Sequence, residues 1–320
     1  MARSQTMTND LAGVAQLLVS GGRGIMVLDE PPQSCNARFA RLGIAPTAEQ
    51  RRAYRELLID APGIERYVSG AVLDDETIRR GTADGRRFVD VLRARGIVPG
   101  IRLEASNANL AEYAALGAGI AAMRGDAPTL ARFAARCQQS GIVPVIEPDV
   151  PSDGEETLEE CAQVTSRALR RLFAELAEAE VAFEALILTT NMIAPGTASG
   201  QHVSTADVVS ATLRVLGATV PVAVAGVAFV AGAQHDHLAA ERLCALNKTM
   251  PRRRPWPLTF TYDRALQQAV LVAWRGRAEH TAEAQRVLLH RAHCNGLAAC
   301  GAYTSKIEDQ FETFVPPLAA

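Results

Sequence analysis

The sequence predicts an α/β fold, a single-domain (β/α)8 TIM barrel, and three observations lead to this prediction. Short apolar runs alternate with amphipathic helical patterns along nearly the whole chain. The runs are apolar on both faces, which is typical of parallel strands covered by helices on either side of the sheet. Eight such runs can be counted, which favours a closed barrel over an open doubly wound sheet.

The eight predicted strands are short, and most end in charged or polar residues. In chain order they are GIMVLDE (24–30), VSGAVLD (68–74), IVPGIRLE (97–104), GIAAMR (119–124), IVPVIEPD (142–149), EALILTT (184–190), VPVAVAGVAFV (220–230) and PLTFTYD (257–263). The stretches between them include helical patterns at 47–61, 129–141 and 157–180. The N-terminal MARSQTMTNDLAGVAQLL also predicts an amphipathic helix, not a signal peptide.

We expect one domain, residues 1–320, with 305–320 as a C-terminal tail, because no linker, repeat or low-complexity segment interrupts the pattern. The motifs G-x-G-x-x-G and G-x-x-x-x-G-K-[ST] are absent from the sequence. The sequence therefore gives no motif-based reason to expect a Rossmann dinucleotide site or a P-loop nucleotide site. We expect no cofactor.

Composition argues against several classes of partner. The formal net charge is −2 and aromatic residues make up 5%, so we expect no nucleic-acid partner. No apolar run reaches the ~18 residues of a membrane span, and we expect no membrane partner. The six cysteines show no CxxC pairing, which indicates reduced thiols and a cytoplasmic location.

Polar residues follow nearly every predicted strand. Because a barrel gathers the carboxyl ends of its strands at one face, these residues should converge on one binding or catalytic mouth. The residues in question are Asp29, Glu30, Asp74, Asp75, Arg102, Glu104, Arg124, Glu147, Asp149, Thr189, Thr190, Asp263 and Arg264.

From about Leu11 to about Thr304 the sequence resembles the class I fructose-1,6-bisphosphate aldolases. The segments that carry the resemblance are GRGIMVLDE, AEQRRAYRELLIDAPG, GIVPGIRLE, CQQSGIVPVIEPDVPSDG, LILTTNMIAPG, NKTMPRRRPWPLTFTYDRALQQAVLVAW and NGLAACGAYT. The resemblance implies the barrel of that family, lyase chemistry on a small-molecule substrate, and a homo-oligomer, either a tetramer or a dimer.

The resemblance also implies that the nucleophile is missing. In the family a lysine at the end of the sixth strand forms a Schiff base with dihydroxyacetone phosphate, and Thr189 stands at the matching position in ILTTNM. A hydroxyl cannot form an iminium. The helper lysine of the fourth strand is matched by Ala122, and the only lysines, Lys248 and Lys306, lie at no predicted strand end.

Other site residues can be assigned by the same resemblance. Asp29 matches the aspartate that assists carbon–carbon cleavage and proton transfer, and Glu147 matches the acid/base glutamate. With Arg124 and Thr189 they form the predicted catalytic set. The predicted substrate-binding residues are Arg38 and Arg264, which match phosphate-contacting arginines, together with Arg102, Glu104, Asn191, Gly232 and Asp263.

Two further features of the sequence could indicate a metal site or a nucleophile, but ordinary structural roles explain them better. His235 and His237 in QHDHLAAE are spaced as metal ligands can be, but two histidines are weak evidence and the stretch reads as an exposed helix start. We therefore predict no metal site. Cys35 lies after the first strand, but a free cysteine is more often a small buried apolar residue than a nucleophile.

Three functional interpretations remain open. We favour a divergent aldolase-like enzyme without Schiff-base chemistry, which uses acid/base carbonyl chemistry (aldol or retro-aldol, condensation, dehydration or isomerisation) on a small carbonyl metabolite. A place in specialised biosynthesis is a further hypothesis. The alternatives are a catalytically inactive binding or regulatory relative, and a fructose-bisphosphate aldolase. The retention of four family residues favours the first over the second, namely Asp29, Arg124, Glu147 and Arg264. The altered phosphate sites, which include Asp263 beside the phosphate-binding position, count against the third.

Overall fold

A computed structural model describes residues 2–104, 109–150, 154–232, 234–249 and 255–313, with backbone alone for 2–9, 264, 312 and 313. Eight parallel strands pair in sequence order, and the eighth pairs with the first, so the sheet closes. The predicted (β/α)8 barrel is thereby confirmed. The strands are β1 (Gly24–Leu28), β2 (Val68–Leu73), β3 (Val98–Arg102), β4 (Ile120–Gly125), β5 (Val143–Pro148), β6 (Ile187–Asn191), β7 (Gly226–Val230) and β8 (Leu258–Tyr262).

Helices surround the barrel and precede its first strand. They are α1 (Ala2–Val19), α2 (Pro32–Arg41), α3 (Ala48–Ile59), α4 (Asp75–Ile78), α5 (Phe88–Ala94), α6 (Leu110–Leu116), α7 (Ala127–Gln139), α8 (Leu158–Glu178), α9 (Thr205–Thr219), α10 (Asp236–Lys248), α11 (Arg264–Trp274) and α12 (Thr281–Ala299). Short 3-10 helices cover Ile64–Arg66, Phe183–Ala185, Ala278–His280 and Ser305–Thr313. Within the described ranges, none of the helices combines the length and the apolar character needed to cross a bilayer.

Two strands begin well inside the apolar runs predicted for them. The seventh, expected over 220–230, begins only at Gly226. Pro221 lacks the N–H that a strand ladder needs, and its carbonyl accepts a hydrogen bond from Trp256 Nε1 at 2.8 Å. Val222 is 75% exposed, so this apolar segment lies at the surface. The sixth strand begins at Ile187 because a 3-10 helix occupies the preceding residues.

The helix α1 closes the amino-terminal end of the barrel. Its apolar face packs with the inward-facing residues of the strands in one buried cluster, which includes Leu11, Ala15, Leu18, Val19, Ile25, Ile120, Val143, Ile187 and Ala228. The contact is close at the start of β7, where a Cβ on Gly226 would lie 2.7 Å from the Val19 side chain. This end of the barrel is therefore filled, and only the opposite end is open.

Local capping fixes the helices that follow the strands. Thr157 and Glu160 form a reciprocal capping box at the start of α8, and Ser204 and Asp207 form another at the start of α9. Each box satisfies backbone N–H groups that the first helical turn leaves unpaired. The sequence patterns TLEE and STAD thus determine where α8 and α9 begin, on the way back from the barrel mouth.

The predicted tail begins as an ordered segment. The 3-10 helix Ser305–Thr313 is held to α12 because Arg291 Nη2 donates to Glu308 and His290 Nε2 lies 3.1 Å from the Ile307 carbonyl oxygen. The Arg291 side chain is only 6% exposed. Residues 314–320 of the predicted tail lie outside the described residues.

The buried Arg291–Glu308 pair should contribute to stability. Burial alone would raise the pKa of Glu308, but the hydrogen bond and charge of Arg291 lower it below its ordinary value. A lowered pKa in the folded chain adds stability above the ordinary glutamate pKa, and this stability is lost as pH falls through the folded value. We expect Glu308→Gln to reduce the free energy of unfolding by about 1–2 kcal/mol at pH 7.

Urea unfolding at several pH values measures this effect. Glu283→Gln is the matched control, because Glu283 pairs with Arg286 at the surface with a side chain 51% exposed. We expect the Glu308→Gln difference to shrink as pH falls below the ordinary glutamate pKa and through the lowered folded value of Glu308. A loss that stays constant with pH, or one equal to that of the control, would contradict the assignment.

Candidate active site

The open end of the barrel holds a cavity of about 690 Å³. It lies at the carboxyl ends of the strands, where enzymes of this architecture place their active sites. The predicted site residues that line it are Asp29, Arg102, Glu104, Arg124, Glu147, Thr189, Asn191, Gly232 and Asp263. The roles assigned to these residues remain predictions.

Alternation along the strands decides which side chains reach the cavity. Val145 and Glu147 lie two residues apart on β5, so both point to the barrel interior. Ala122 and Arg124 repeat this relation on β4. In each case the earlier residue is apolar and forms the cavity floor, and the later residue is charged and lies nearer the mouth.

Asp29 and Arg102 form the closest ion pair in the cavity. The Nε of Arg102, at the end of β3, donates to Asp29 Oδ2 at 2.6 Å, and the side chains are 30% and 16% exposed respectively. Burial would lower the pKa of Arg102, but the neighbouring charge of Asp29 raises it above its ordinary value. Arg102 therefore remains a guanidinium and fixes the orientation of the Asp29 carboxylate.

Glu147 is a cavity carboxyl group with a shifted pKa, and its side chain is only 16% exposed. Burial raises the pKa of Glu147, and the charges of Arg102 and Arg124 oppose this rise without cancelling it. The nearest cation is Arg124, whose Nε lies 3.8 Å from Glu147 Oε1 but only 2.7 Å from Asp149 Oδ1. A raised pKa makes this carboxyl group a better proton donor than an ordinary exposed glutamate at a given pH, because more of it stays protonated.

Thr189 lines this cavity and carries a buried hydroxyl group. Thr189 is 4% exposed, and its Oγ1 makes no hydrogen bond within the described part of the chain. The next two residues bond locally, since Thr190 Oγ1 lies 3.4 Å from Asn191 Oδ1 and Asn191 Nδ2 donates to the Met192 carbonyl. Because a buried hydroxyl without a partner is costly, Thr189 is suited to bind a ligand oxygen.

The two lysines of the chain lie outside the cavity lining. Lys248 ends α10 and Lys306 lies in the final 3-10 helix, and both are exposed. The strands run toward the mouth and α10 runs back, so Lys248 is at the opposite end of the barrel. Neither amine is placed to attack a carbonyl group bound near Thr189.

The chain matches known proteins over nearly its whole length. The sequence model of the family described as fructose-bisphosphate aldolase class-I matches residues 10–118 and 113–314. The chain belongs to the class I fructose-bisphosphate aldolase family. The resemblance predicted from the sequence motifs is therefore confirmed.

Individual members of the family are similar to this chain. A probable fructose-bisphosphate aldolase class 1 of Xanthomonas axonopodis pv. citri is 38% identical over 327 residues, which span 91% of this chain and 97% of that protein. The chloroplastic fructose-bisphosphate aldolase 1 of Chlamydomonas reinhardtii is 36% identical, with 96% and 90% covered. A solved structure of the Plasmodium falciparum aldolase, in complex with TRAP and a small molecule inhibitor, superimposes with a TM-score of 0.89 at 35% identity and covers 94% of this chain and 96% of that one.

Among the described residues assigned from the family pattern, Arg38 is not found in the cavity lining. The role of Arg38 in phosphate binding stays a prediction. Arg38, on α2, does not line the cavity and donates instead to Glu30 Oε2 at 2.7 Å. The reason is local, because Glu30 lies directly after Asp29 and holds the Arg38 guanidinium. The side chain of Arg264 lies outside the described residues.

Cys35 and the histidines of QHDHLAAE also lie outside the cavity lining. Cys35 is 1% exposed, and burial raises the pKa of its thiol to about 11, which disfavours a nucleophilic thiolate. His235 precedes α10, and His237 Nε2 lies 3.7 Å from Glu308. In the described part of the chain, one group could offer three metal ligands, namely His290, Cys294 and Glu308, but the guanidinium of Arg291 already occupies Glu308.

The cavity also contains residues outside the predicted catalytic and substrate-binding sets, although Asp149 was expected at the mouth. Asp149 Oδ1 accepts a hydrogen bond from Arg124 Nε, and Thr261 on β8 is a polar residue of the cavity lining. A signal for both was present in the sequence, because Asp149 follows Glu147 by two residues and Thr261 precedes Asp263 by two. Residues at that spacing share one face of a strand.

Replacing Glu147 with glutamine tests whether burial disfavours the ionised form of its carboxyl group. Because its folded pKa is raised, its contribution to stability is greatest at low pH and falls as pH rises through the folded value. We expect Glu147→Gln to melt at the same temperature as the parent protein near pH 4. Near pH 8 the variant should melt at an equal or higher temperature, since it no longer buries a charge.

Melting curves at both pH values give the measurement, and Glu178→Gln on the exposed face of α8 is the control. The control should show no such pH dependence. A Glu147→Gln variant that melts several degrees lower near pH 8 would mean that the ionised carboxylate is held by partners and is not penalised by burial.

Proposed function

We propose that this protein is an aldolase-family enzyme that carries out acid/base carbonyl chemistry without a Schiff base. The observation that carries the proposal is the composition of the cavity, where Asp29 and Glu147 are present and lysine is absent from the described lining. Addition, elimination or isomerisation at a carbonyl compound requires a proton to be removed from one carbon or oxygen and returned to another. Two positioned carboxyl groups can do this work.

Asp29 is the better candidate for the base. Its Oδ2 accepts a hydrogen bond from Arg102 Nε, and this contact sets the direction of the other carboxylate oxygen. A carboxylate held in one orientation by a guanidinium can accept a proton from a carbon next to the substrate carbonyl group. Arg102 also provides positive charge near the oxygen on which negative charge would develop.

Glu147 is the better candidate for the acid. Its raised pKa favours the protonated form, which can donate a hydrogen bond to a carbonyl oxygen and then the proton itself. Thr189 supplies a second donor at the sixth strand through a hydroxyl that has no partner within the described residues. Together the two groups can polarise a carbonyl group where an iminium cannot form.

Fructose-bisphosphate aldolase activity is the second candidate, and the comparisons favour it more directly than the first. The similar proteins from Xanthomonas and Chlamydomonas carry that name, and the identities of 36–38% extend over nearly the whole chain. The argument against it is chemical, because no lysine lines the described cavity. A catalytically inactive relative is the third possibility left open by the sequence.

Proton exchange provides a test that does not require the natural substrate. An enzyme with this chemistry should exchange the hydrogens next to a carbonyl group with deuterium from D₂O, and proton NMR follows their loss. A panel of three- and four-carbon hydroxyketones and hydroxyaldehydes, with fructose bisphosphate included, is the substrate set. We expect Asp29→Asn and Glu147→Gln to slow exchange by roughly 10²–10⁴-fold.

The double variant Lys248→Gln/Lys306→Gln is the matched control, because it removes every lysine of the chain. It should retain the full exchange rate. Loss of activity in this control would favour lysine chemistry, and cleavage of fructose bisphosphate at an enzymic rate would favour the second candidate. No exchange with any compound of the panel would favour an inactive relative.

The proposal also covers the domain organisation, assembly and location of the protein. The chain forms one domain, it assembles as a homodimer or homotetramer, and it acts in the cytoplasm. Support comes from the single closed barrel of the described residues and from bacterial relatives of similar length. Sedimentation equilibrium measures the assembly state.

A further inference from the structure

The inner part of the cavity is lined by apolar side chains from four strands, which we call the apolar floor. Its members are Val27 on β1, Val72 on β2, Ala122 on β4 and Val145 on β5. On β1, β4 and β5 the apolar residue lies two positions before a charged one, so both face the barrel interior and the apolar residue lies deeper. The charged groups of these strands are therefore nearer the mouth than the floor is.

The apolar floor is continuous with the core of the barrel. Val27 pairs in register with Val72 on the neighbouring strand. Ala122 pairs in the same way with Val145. Val72, Ala122 and Val145 all belong to the buried cluster that packs against α1. A ligand that reaches the floor therefore contacts the same kind of surface that the core buries.

Arg102 lies beside Ala122 in the sheet, but its charge is directed away from the floor. The Nε of Arg102 donates to Asp29 Oδ2 at 2.6 Å. Asp29 follows Val27 by two residues, so this ion pair lies on the mouth side of the floor. The guanidinium thus forms part of the charged level above, where the proposed base is held.

An alkyl group suits the apolar floor better than a polar group does. Valine and alanine side chains neither donate nor accept hydrogen bonds, so a hydroxyl or phosphate group placed there would lose its water partners without replacement. An alkyl group gains free energy when it leaves water. We propose, building on the acid/base function proposed above, that the cavity binds a carbonyl compound whose inner end is a short alkyl group, and that Ala122 limits the length of this group.

Ala122 leaves the room that such a group needs. It is the smallest residue of the apolar floor and is 4% exposed. Its side chain ends at Cβ, whereas that of the neighbouring Val145 extends one carbon further. The whole cavity has a volume of about 690 Å³, a size typical of sites for molecules larger than a three-carbon ketone. A larger side chain at residue 122 would fill the space that the alkyl carbons occupy.

The carbonyl group of the substrate stays at the proposed reacting groups. Val145 pairs in register with Ile187, and Glu147 and Thr189 follow these two residues by two positions on the same strands. Glu147 and Thr189 are therefore neighbours on β5 and β6, and the carbonyl oxygen lies near them. The alkyl group points from there to the floor. The floor thus determines which substrates are accepted, and the proton-transfer pair stays the same.

Four compounds with the same hydroxyketone head measure this preference. Hydroxyacetone, 1-hydroxy-2-butanone and 1-hydroxy-2-pentanone have alkyl ends of increasing length, and dihydroxyacetone matches the butanone in size but ends in a hydroxyl group. We expect proton NMR titrations to give dissociation constants that fall ~3-fold or more with each added carbon. Dihydroxyacetone should bind ~5-fold or more weakly than 1-hydroxy-2-butanone.

Variants assign the preference to the apolar floor. Val145→Thr keeps the shape of the side chain and adds a hydroxyl group, so the advantage of 1-hydroxy-2-butanone over dihydroxyacetone should decrease ~3-fold or more. Ala122→Leu fills the space above residue 122, so 1-hydroxy-2-pentanone should bind ~10-fold or more weakly, while hydroxyacetone changes by ~2-fold at most. Val272→Thr, on the exposed face of α11, is the control and should change neither.

Several results would overturn the proposal. They are dissociation constants that do not fall with chain length, dihydroxyacetone binding as tightly as 1-hydroxy-2-butanone, and no binding of any of the four compounds. A folded Ala122→Leu variant that binds 1-hydroxy-2-pentanone as the parent protein does would also overturn it. The comparison of the four compounds needs only the parent protein, so it decides the proposal even where a variant fails to fold.

The binding experiment and the exchange experiment can fail independently. The titrations do not require turnover, so a preference for longer alkyl groups without any exchange would support the apolar floor and count against the acid/base function. Exchange that depends on Asp29 and Glu147 but shows no preference for chain length in binding would overturn the role of the floor and support the function.

Discussion

The closed ring of parallel strands makes every second residue face the barrel axis, and the rest of the molecule depends on this alternation. Near the amino-terminal end the inward residues are apolar and pack against α1. Two positions further along β4, β5 and β6 they become Arg124, Glu147 and Thr189. If the pairing of a strand shifted by one residue, its inward and outward side chains would change places. The same strand register therefore determines both the apolar core and the cavity lining.

Charge compensation is the second constraint on the cavity. Carboxylates at the end of a barrel need cations nearby, and in this chain the cations are arginines. Arg102 holds Asp29 and Arg124 holds Asp149, each through a short hydrogen bond. An arginine does not lose its proton near neutral pH, so it can orient a carboxylate but cannot act as a nucleophile. The chemistry must then be done by carboxyl and hydroxyl groups.

The barrel was predictable from the sequence because each strand is an apolar run with a polar end, and nine predicted site residues line the cavity for the same reason. Strand β7 was predicted too long because apolar character does not reveal that Pro221 cannot join the ladder. The ion pair between Arg38 and Glu30 was not predicted, because a sequence pattern does not show which carboxylate a guanidinium contacts. The raised pKa of Glu147 depends on burial, which a sequence pattern does not measure.

The central claim is that a class I aldolase barrel can present a carbonyl-binding cavity without an amine nucleophile, and covalent trapping tests it most directly. The protein is incubated with dihydroxyacetone phosphate, reduced with borohydride, and weighed as an intact chain by mass spectrometry, with an aldolase that retains its lysine treated in parallel. We predict that the mass of this chain stays unchanged while the parallel aldolase gains one reduced adduct. An adduct that peptide mapping assigns to Lys248 or Lys306 would contradict the account.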